Sequence, residues 1–385
     1  MISPARLAAF QILERVRAGG YASDLLLART AGLDSRDAGL ASEIVLGSLR
    51  RQGQLDYLIQ LWSGRPPSRM DTAVLIALRL GIYQIRYLDR VPAHAAVGES
   101  VELVKKARKR SAAGFVNAVL RKAGRETVAW PDRATELSQP DWLLERWNRQ
   151  FGEETATRIA SAFLEAPETW VRNPPRDRAD LQLEPSDVPG AFRVISGDVT
   201  GLRIQDIGSQ SIVPLLELEP GQSFLDLCAA PGNKTMQALE SGVQAVACDL
   251  HIHRLRNVQG CARLALDATV PLPFGRKFDR ILVDAPCSGT GTLGRNPEIR
   301  WRLQAGDIAD LHEKQTSILR NALNVLAPTG ILVYATCSLE QEENDDVLER
   351  TMRERPQSAR LVRIQRRIPG IDSGDGFFAA VLTSV

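Results

Sequence analysis

The chain has 385 residues, of which 44% are apolar and 24% charged, with a formal net charge of +2. Such a composition is that of a globular protein of two or three domains. Every strongly apolar stretch is broken by charge short of membrane-spanning length, and the opening Met1-Ile2-Ser3-Pro4-Ala5-Arg6 lacks the layout of a signal peptide, so a cytoplasmic protein with no membrane partner is expected.

Residues 1–130 read as an all-helical bundle. Ser3 followed by Pro4 is an N-cap signal ahead of a helix over 7–16. Apolar residues continue at helical spacing over 37–59 (Leu40, Ile44, Leu49, Leu55, Leu58, Ile59) and over 71–88 (Val74, Leu78, Ile82, Ile85). Pro92 ends that stretch, and further helices are expected over 95–109 and 112–122. Charge is uneven along the chain: residues 1–140 hold 21 Lys/Arg against 13 Asp/Glu, whereas 141–385 hold 27 against 33. The densest patch is Lys105-Lys106-Ala107-Arg108-Lys109-Arg110, followed by Arg121, Lys122 and Arg125. A solvated helix face is the ordinary explanation for such a run. Mutual repulsion among its cations would also be relieved by a phosphate backbone, which makes the front half a candidate to meet a polyanion.

Residues 131–200 change character, with a helical piece over 141–147 and then Pro167, Pro174, Pro175, Pro185 and Pro189. This segment reads as a connecting subdomain. From 201 to 385 short apolar runs alternate with amphipathic helices, the longest over 307–326. The expected strands are 223–227, 244–248, 263–266, 280–283, 330–335 and 377–382. The class is α/β, a doubly wound parallel sheet covered on both faces, in which ligands bind beyond the carboxyl ends of the strands.

The strand ends carry the chemistry. The first run leads from Asp226-Leu227 into Cys228-Ala229-Ala230-Pro231-Gly232-Asn233-Lys234, a turn of small residues that lets backbone approach a nucleoside-bearing ligand. Asp249 and Asp267 end the second and third runs; a carboxylate after the second strand commonly accepts from ribose hydroxyls. A solvated loop Asp is the ordinary explanation for one alone, but three carboxylates at three successive strand ends carry more weight. The fourth run ends in Asp284-Ala285-Pro286-Cys287-Ser288-Gly289-Thr290-Gly291 and the fifth in Ala335-Thr336-Cys337-Ser338. Five cysteines occur (Cys228, Cys248, Cys261, Cys287, Cys337), odd in number and without a CxxC pair, so free thiols are expected rather than a disulfide framework. Cys248 and Cys261 read as packing residues. The polar neighbours of Cys287 and Cys337 place those two in loops where a thiol can react. Cys248, His251, His253 and Cys261 match no standard zinc spacing, and no metal is expected. Gly289–Gly294 matches GxGxxG but follows the fourth strand and leads into a turn, so dinucleotide binding gains little from it.

These motifs resemble those of the bacterial 16S rRNA (cytosine-C5) methyltransferases of the RsmB/Sun/Fmu type, within the wider RNA 5-methylcytosine methyltransferase family. Arg295-Asn296-Pro297-Glu298-Ile299-Arg300-Trp301 and Asp375-Gly376-Phe377-Phe378-Ala379-Ala380 extend the resemblance. In the front half it rests on Ala5-Arg6, Ala9, Leu13 and the stretch from Pro92 to Val101, which look like a NusB-type RNA-binding domain. The resemblance implies a Rossmann-like methyltransferase domain using S-adenosyl-L-methionine, and a ribosomal RNA substrate presenting a single-stranded or loop cytosine; a monomer is expected. It implies that Cys228, Ala229, Ala230, Pro231, Gly232, Asn233 and Lys234 wrap the methionine part of the cofactor, that Asp249 holds the ribose, and that Asp267 lies by the adenine. Asp284 and Lys234 would contact the cytosine, with Asp284 also bordering the cofactor. Cys337 would be the nucleophile and Cys287 would assist release; spacing and chemistry alone leave open which thiol attacks. Asn233 stands where the family usually has a second glycine. The 17 residues between Asp249 and Asp267 leave barely three turns for a crossover helix, so an altered adenine side is expected. A non-catalytic RNA-binding assembly factor is the competing reading, and a nicotinamide oxidoreductase a third.

Overall fold

The computed structural model describes residues 2–124, 127–175, 178, 180–355 and 359–384. Arg125 of the basic patch lies outside them. The chain divides into two compact units, Met1–Ala166 with Leu293–Arg302, and Pro167–Thr292 with Leu303–Val385.

The first unit is helical: α1 (Pro4–Arg17), α2 (Ala22–Thr30), α3 (Ser35–Arg50), α4 (Gln52–Ser63), α5 (Thr72–Tyr87), α6 (Ala93–Lys106), α7 (Ala113–Lys122), α8 (Arg133–Glu136), α9 (Asp141–Phe151) and α10 (Glu153–Ala162). The apolar stretch 37–59 is two helices, because Arg51 leaves helical geometry (φ −102°, ψ 16°) between α3 and α4. The stripes of α3, α4 and α5 meet in one core, with Ile44, Leu55, Leu58, Ile59, Leu78 and Ile82 fully buried. Ser3 does precede α1, but its side chain makes no capping bond. Its hydroxyl instead donates to Glu99 Oε2 (2.8 Å), and Glu99 Oε1 pairs with Arg6 (2.8 Å), pinning α1 to α6. Lys105, Lys106, Arg108, Lys109 and Arg110 are all exposed, as are Arg121 and Lys122.

The helices do not stop at residue 130. Residues 131–200, expected as one connecting subdomain, are divided: α8 to α10 pack with the bundle, and the rest belongs to the second unit. The buried Trp147, Ile159 and Phe163 supply the apolar face that holds α9 and α10. Residues 293–302 also fold into this unit. Arg300, 1% exposed, donates to the carbonyls of Leu293 (2.8 Å), Ser138 (3.2 Å) and Phe163 (3.2 Å). Trp301 Nε1 donates to Leu49 O (3.0 Å), and Glu298 Oε1 accepts from Ala22 N (2.9 Å).

In the second unit a small antiparallel sheet of β1 (Trp170–Arg172), β2 (Gln182–Pro185) and β3 (Ala191–Ser196) precedes the short helix α11 (Ile207–Gln210). The main sheet contains β4 (Ser223–Asp226), β5 (Gln244–Asp249), β6 (Ala262–Ala265), β7 (Phe278–Asp284), β8 (Leu326–Thr336), β9 (Ala359–Arg367) and β10 (Phe377–Ser384), in the order β6-β5-β4-β7-β8-β10-β9. Five strands are parallel, as expected. Strand β10 corrects the expectation of a parallel sheet, since it runs antiparallel to both β8 and β9, leaving β9 pointing the same way as β8. The edge strand β9 carries Arg360, Arg363, Arg366 and Arg367, charges that mask an alternating pattern and guard an open edge. Helices α12 (Asn233–Leu239), α13 (Ala305–Asn324) and α14 (Asp345–Glu354) complete the unit. Ile318, Leu319, Ala322, Val347 and Leu348 cover one face of the sheet, while Ile212, Leu215, Leu216 and Ala238 cover the other. Between β5 and β6 a single 3-10 turn (Ile252–Leu255) replaces a crossover helix. No helix among the described residues is long and apolar enough to cross a membrane.

Candidate active site

The carboxyl ends of β4, β7 and β8 are adjacent, and they converge four of the residues singled out above. The turn after β4 is tied back to the sheet by Leu227 N to Leu282 O (3.0 Å) and Ala229 N to Cys248 O (2.8 Å). Gly232 then caps α12 at φ 114°, where a Cβ would also collide with Val258. Only glycine meets both conditions. Asn233, where a second glycine is usual, simply begins α12. One helical residue further, Lys234 is 9% exposed and its Nζ lies 2.7 Å from Asp284 Oδ2 at the end of β7, above the ring of Phe377 (5.2 Å). Burial alone would lower the Lys234 ammonium. The Asp284 charge and hydrogen bond outweigh it, helped by Cys337 and Asp226, and hold the group above its usual range.

Cys287 and Cys337, 50 residues apart in sequence, bring their sulfurs to 3.4 Å. Both are partly exposed. The bond to Cys337, burial and the nearby Cys337 and Glu343 charges push the Cys287 thiol well above its ordinary value. The loops that carry the two thiols are joined by Gly291 N to Cys337 O (2.9 Å), and Gly376, just before β10, donates its N–H to Gly291 O (2.8 Å). The GxGxxG-like stretch thus acts as close backbone packing beneath the thiols. Cys228 is pushed up by burial and then by Asp226, Asp284 and Asp249, and Cys248 by burial to about 12.

The remaining carboxylates differ from one another. Asp249 is buried and accepts from His251 N (2.9 Å). Asp267 is exposed, and its Oδ1 is taken up by Thr269 N (2.8 Å) and Thr269 Oγ1 (2.6 Å), which hold its carboxyl low. With the segment before it reduced to a 3-10 turn, it stands on an open loop. His251 and His253 stack on each other at 5.6 Å, and no group of three or more candidate metal ligands occurs among the described residues.

Three residues of the site carry no role in the sequence pattern: Asp226, Glu343 and Phe377. Asp226 is 1% exposed; Oδ2 accepts from Thr235 Oγ1 (2.7 Å), while Oδ1 is buried with no hydrogen-bond partner. Burial pushes its carboxyl up to about 7. The folded form therefore holds this proton more tightly than the unfolded chain, and stability is lost as pH rises from about 4 through 7, by an amount on the order of a few kcal/mol. Asp226→Asn, which cannot ionise, is expected to raise the melting temperature of the ligand-free protein at pH 8 but not at pH 4. A lower midpoint at pH 8 would show that the ionised carboxylate is stabilised after all.

A helical domain followed by a Rossmann-like sheet with paired thiols at adjacent strand ends is the arrangement that the motif resemblance to RNA methyltransferases implies, and the comparisons with known proteins place the chain in that class. A family model described as 16S rRNA methyltransferase RsmB/F matches residues 213–383, and one described as NusB family matches residues 3–125. The chain is 32% identical over 379 residues to the probable ribosomal RNA small subunit methyltransferase B of Bacillus subtilis, covering 88% of this chain and 85% of that one. It is 33% identical to the ribosomal RNA small subunit methyltransferase B of Klebsiella pneumoniae over 98% of this chain and 97% of that one. The crystal structure of PH0851 shares the fold over 99% of both chains, with a TM-score of 0.83 at 21% identity. That of NSun6 from Pyrococcus horikoshii with SFG covers 64% of this chain and 98% of that one, with a TM-score of 0.56 at 19% identity. The chain belongs to the RsmB/F family of 16S rRNA methyltransferases.

Proposed function

We propose that this enzyme methylates C5 of a cytosine in 16S ribosomal RNA through a covalent bond between Cys337 and C6 of the base, with S-adenosyl-L-methionine as methyl donor. The observation that carries the reading is the pair of sulfurs 3.4 Å apart beside the Lys234–Asp284 ion pair. The donor supplies an electrophilic methyl group on a sulfonium. Residues Cys228 to Lys234 and Asp249 would hold it, with Asp284 bordering it and Asp267 on the adenine side. The unpartnered, buried Asp226 Oδ1 fits a ligand bearing a hydrogen-bond donor or an ammonium.

Cytosine C5 is too weak a nucleophile to take a methyl group unaided. The Cys337 thiolate adds to C6, and the electron pair of the C5–C6 double bond moves to C5, dividing one hard step into two easier ones. Asp284, steadied by Lys234, accepts a hydrogen bond from the exocyclic amine, while the Lys234 ammonium offsets the negative charge that builds on the ring. After methylation the C5 proton leaves to a base, the C5–C6 double bond reforms, and the C6–S bond breaks to return the Cys337 thiolate. Cys287 assists this elimination. The surroundings of Cys287 fit a release role: the bond to Cys337, burial and the nearby Cys337 and Glu343 charges raise its thiol, so it holds a proton. A stacked base cannot reach the site, so a single-stranded or loop cytosine is the target of a monomeric enzyme, with the exposed basic face over 105–110 available to the phosphate backbone.

Incubation with 16S rRNA and S-adenosylmethionine carrying a tritiated methyl group is expected to label the RNA, and nuclease digestion to return the label as 5-methylcytidine. Unlabelled RNA, together with no cofactor binding by calorimetry, would sink the proposal.

A further inference from the structure

Glu343 lies wholly buried beneath the two thiols, in a short turn (Gln341–Glu343) after β8, and its carboxyl group is surrounded by donors rather than by a cation. Oε1 accepts from Ser288 N (2.8 Å) and Gln315 Nε2 (3.0 Å). Oε2 accepts from Ser338 Oγ (2.5 Å) and from Ser288 Oγ. Ser288 directly follows Cys287 and Ser338 directly follows Cys337. The same Gln315 amide also donates to Pro286 O (2.9 Å), on the other side of Cys287. Tyr334 donates its hydroxyl to Glu343 O (2.6 Å), anchoring the turn to β8.

We propose that Glu343 is a positioning residue that sets the separation of the two thiols, because one buried carboxylate grips the residue next to each of them. The proposal rests on the assignment of Cys337 to bond making and Cys287 to release. Burying a carboxylate with no counter-ion is costly unless its lone pairs are filled. Here both oxygens are filled, and by the two loops that carry the thiols. Those loops also touch through Ser288 Oγ and Ser338 Oγ (3.1 Å), through Thr290 Oγ1, which meets Ser338 Oγ (3.3 Å) and accepts from Leu339 N (2.9 Å), and through the Gly291 backbone bond to Cys337 O, but among the described residues Glu343 alone bonds both serines at once. An apolar residue would fill the space but leave the serine hydroxyls and the Ser288 N–H poorly matched. Without the grip, the loops after β7 and β8 lose a shared reference point, and the thiols lose their register on a base held between them and the donor. Misplacement of a reacting group by about 1 Å can cost on the order of 100-fold in rate.

Glutamine can take the same place. Its carbonyl would meet Ser288 N–H and Gln315, and its amide would donate to the two serine hydroxyls, which rotate to accept. Alanine cannot. The test compares Glu343→Gln and Glu343→Ala in the full chain with two measurements. The first is the rate of Cys287–Cys337 disulfide formation under diamide, mapped by peptide mass spectrometry, which requires no turnover. The second is kcat and KM for methyl transfer to RNA. Glu343→Gln is expected to stay within about threefold of the parent on both, whereas Glu343→Ala pairs its thiols at least roughly tenfold more slowly and loses about 100-fold in kcat with KM little changed. If the alanine variant does not fold, the gentler pair Ser288→Ala with Ser338→Ala is expected to slow disulfide formation in the same direction. Thiol pairing at the parent rate in Glu343→Ala or in the serine pair overturns the proposal. So does a glutamine variant as impaired as alanine, which would assign the role to charge rather than geometry. Full methylation by Cys337→Ala would instead overturn the thiol chemistry, and the disulfide rates would still decide the positioning role.

Discussion

Cys337→Ala is expected to abolish methylation, with a loss on the order of 10⁴-fold or more in kcat, because its thiolate is the group assigned to add to C6 of the base. Cofactor affinity is expected to hold, since Asp226, Asp249 and the turn from Cys228 to Gly232 are untouched. The measurement is single-turnover transfer of labelled methyl to 16S rRNA beside calorimetric titration of the cofactor. Retained turnover would move the nucleophile elsewhere, with Cys287 the first candidate at 3.4 Å. Burial and the Glu343 charge, the causes that survive loss of Cys337, still push the Cys287 thiol up, and a protonated sulfur adds poorly to a ring carbon.

The second large effect has the opposite appearance. Cys287→Ala leaves the nucleophile and the Lys234–Asp284 pair in place, so the Cys337–C6 bond still forms. What is lost is the group that helps to break it. The protein–RNA adduct is expected to accumulate as a band that survives denaturation, and ribonuclease digestion should collapse it to the mass of the chain plus a methylated nucleotide. The double variant with Cys337→Ala should show no such band. Ordinary turnover by Cys287→Ala, with no retained adduct, would remove Cys287 from the release step.

Much of this site is legible in one-dimensional pattern. Asp284, Cys287 and Cys337 follow apolar runs directly, so the alternation of strand and helix is enough to bring them to one edge. The glycine at 232 is likewise marked by its small neighbours, although what excludes a side chain there is Val258, from a distant turn. Which thiol attacks is carried only by family resemblance; the structure adds unequal surroundings that sequence spacing does not encode. Glu343 is invisible for a different reason. It sits in the run Glu340-Gln341-Glu342-Glu343, where composition suggests a solvated acidic turn, and nothing local shows which of these carboxylates grips the thiol loops. Asp226 ends a strand run but draws no role, because its significance lies in an unmatched buried oxygen. Strand β9 escapes the pattern because its arginines interrupt the apolar alternation; helices α8 and α10 escape it, and α9 shows only over 141–147, because the surrounding prolines, Pro131 and Pro140 among them, look like the edge of a linker. The position of Asp267 after an apolar run is plain. Its exposure follows from the loss of a crossover helix that the short 250–266 segment already suggests.

The return of residues 293–302 to the helical unit bears on how such a protein can be rearranged over evolutionary time. The chain passes between its units at 166/167, at 292/293 and again at 302/303. Neither unit is therefore a single inheritable block. A recombination event that exchanged only the front segment would bring in a bundle that had never met Arg300, Trp301 and Glu298, and their buried hydrogen bonds to Ser138, Phe163, Leu49 and Ala22 would have to be rebuilt from new carbonyls and amides. Successful shuffling must carry both pieces together, which favours joint descent of the helical and catalytic halves over repeated swapping.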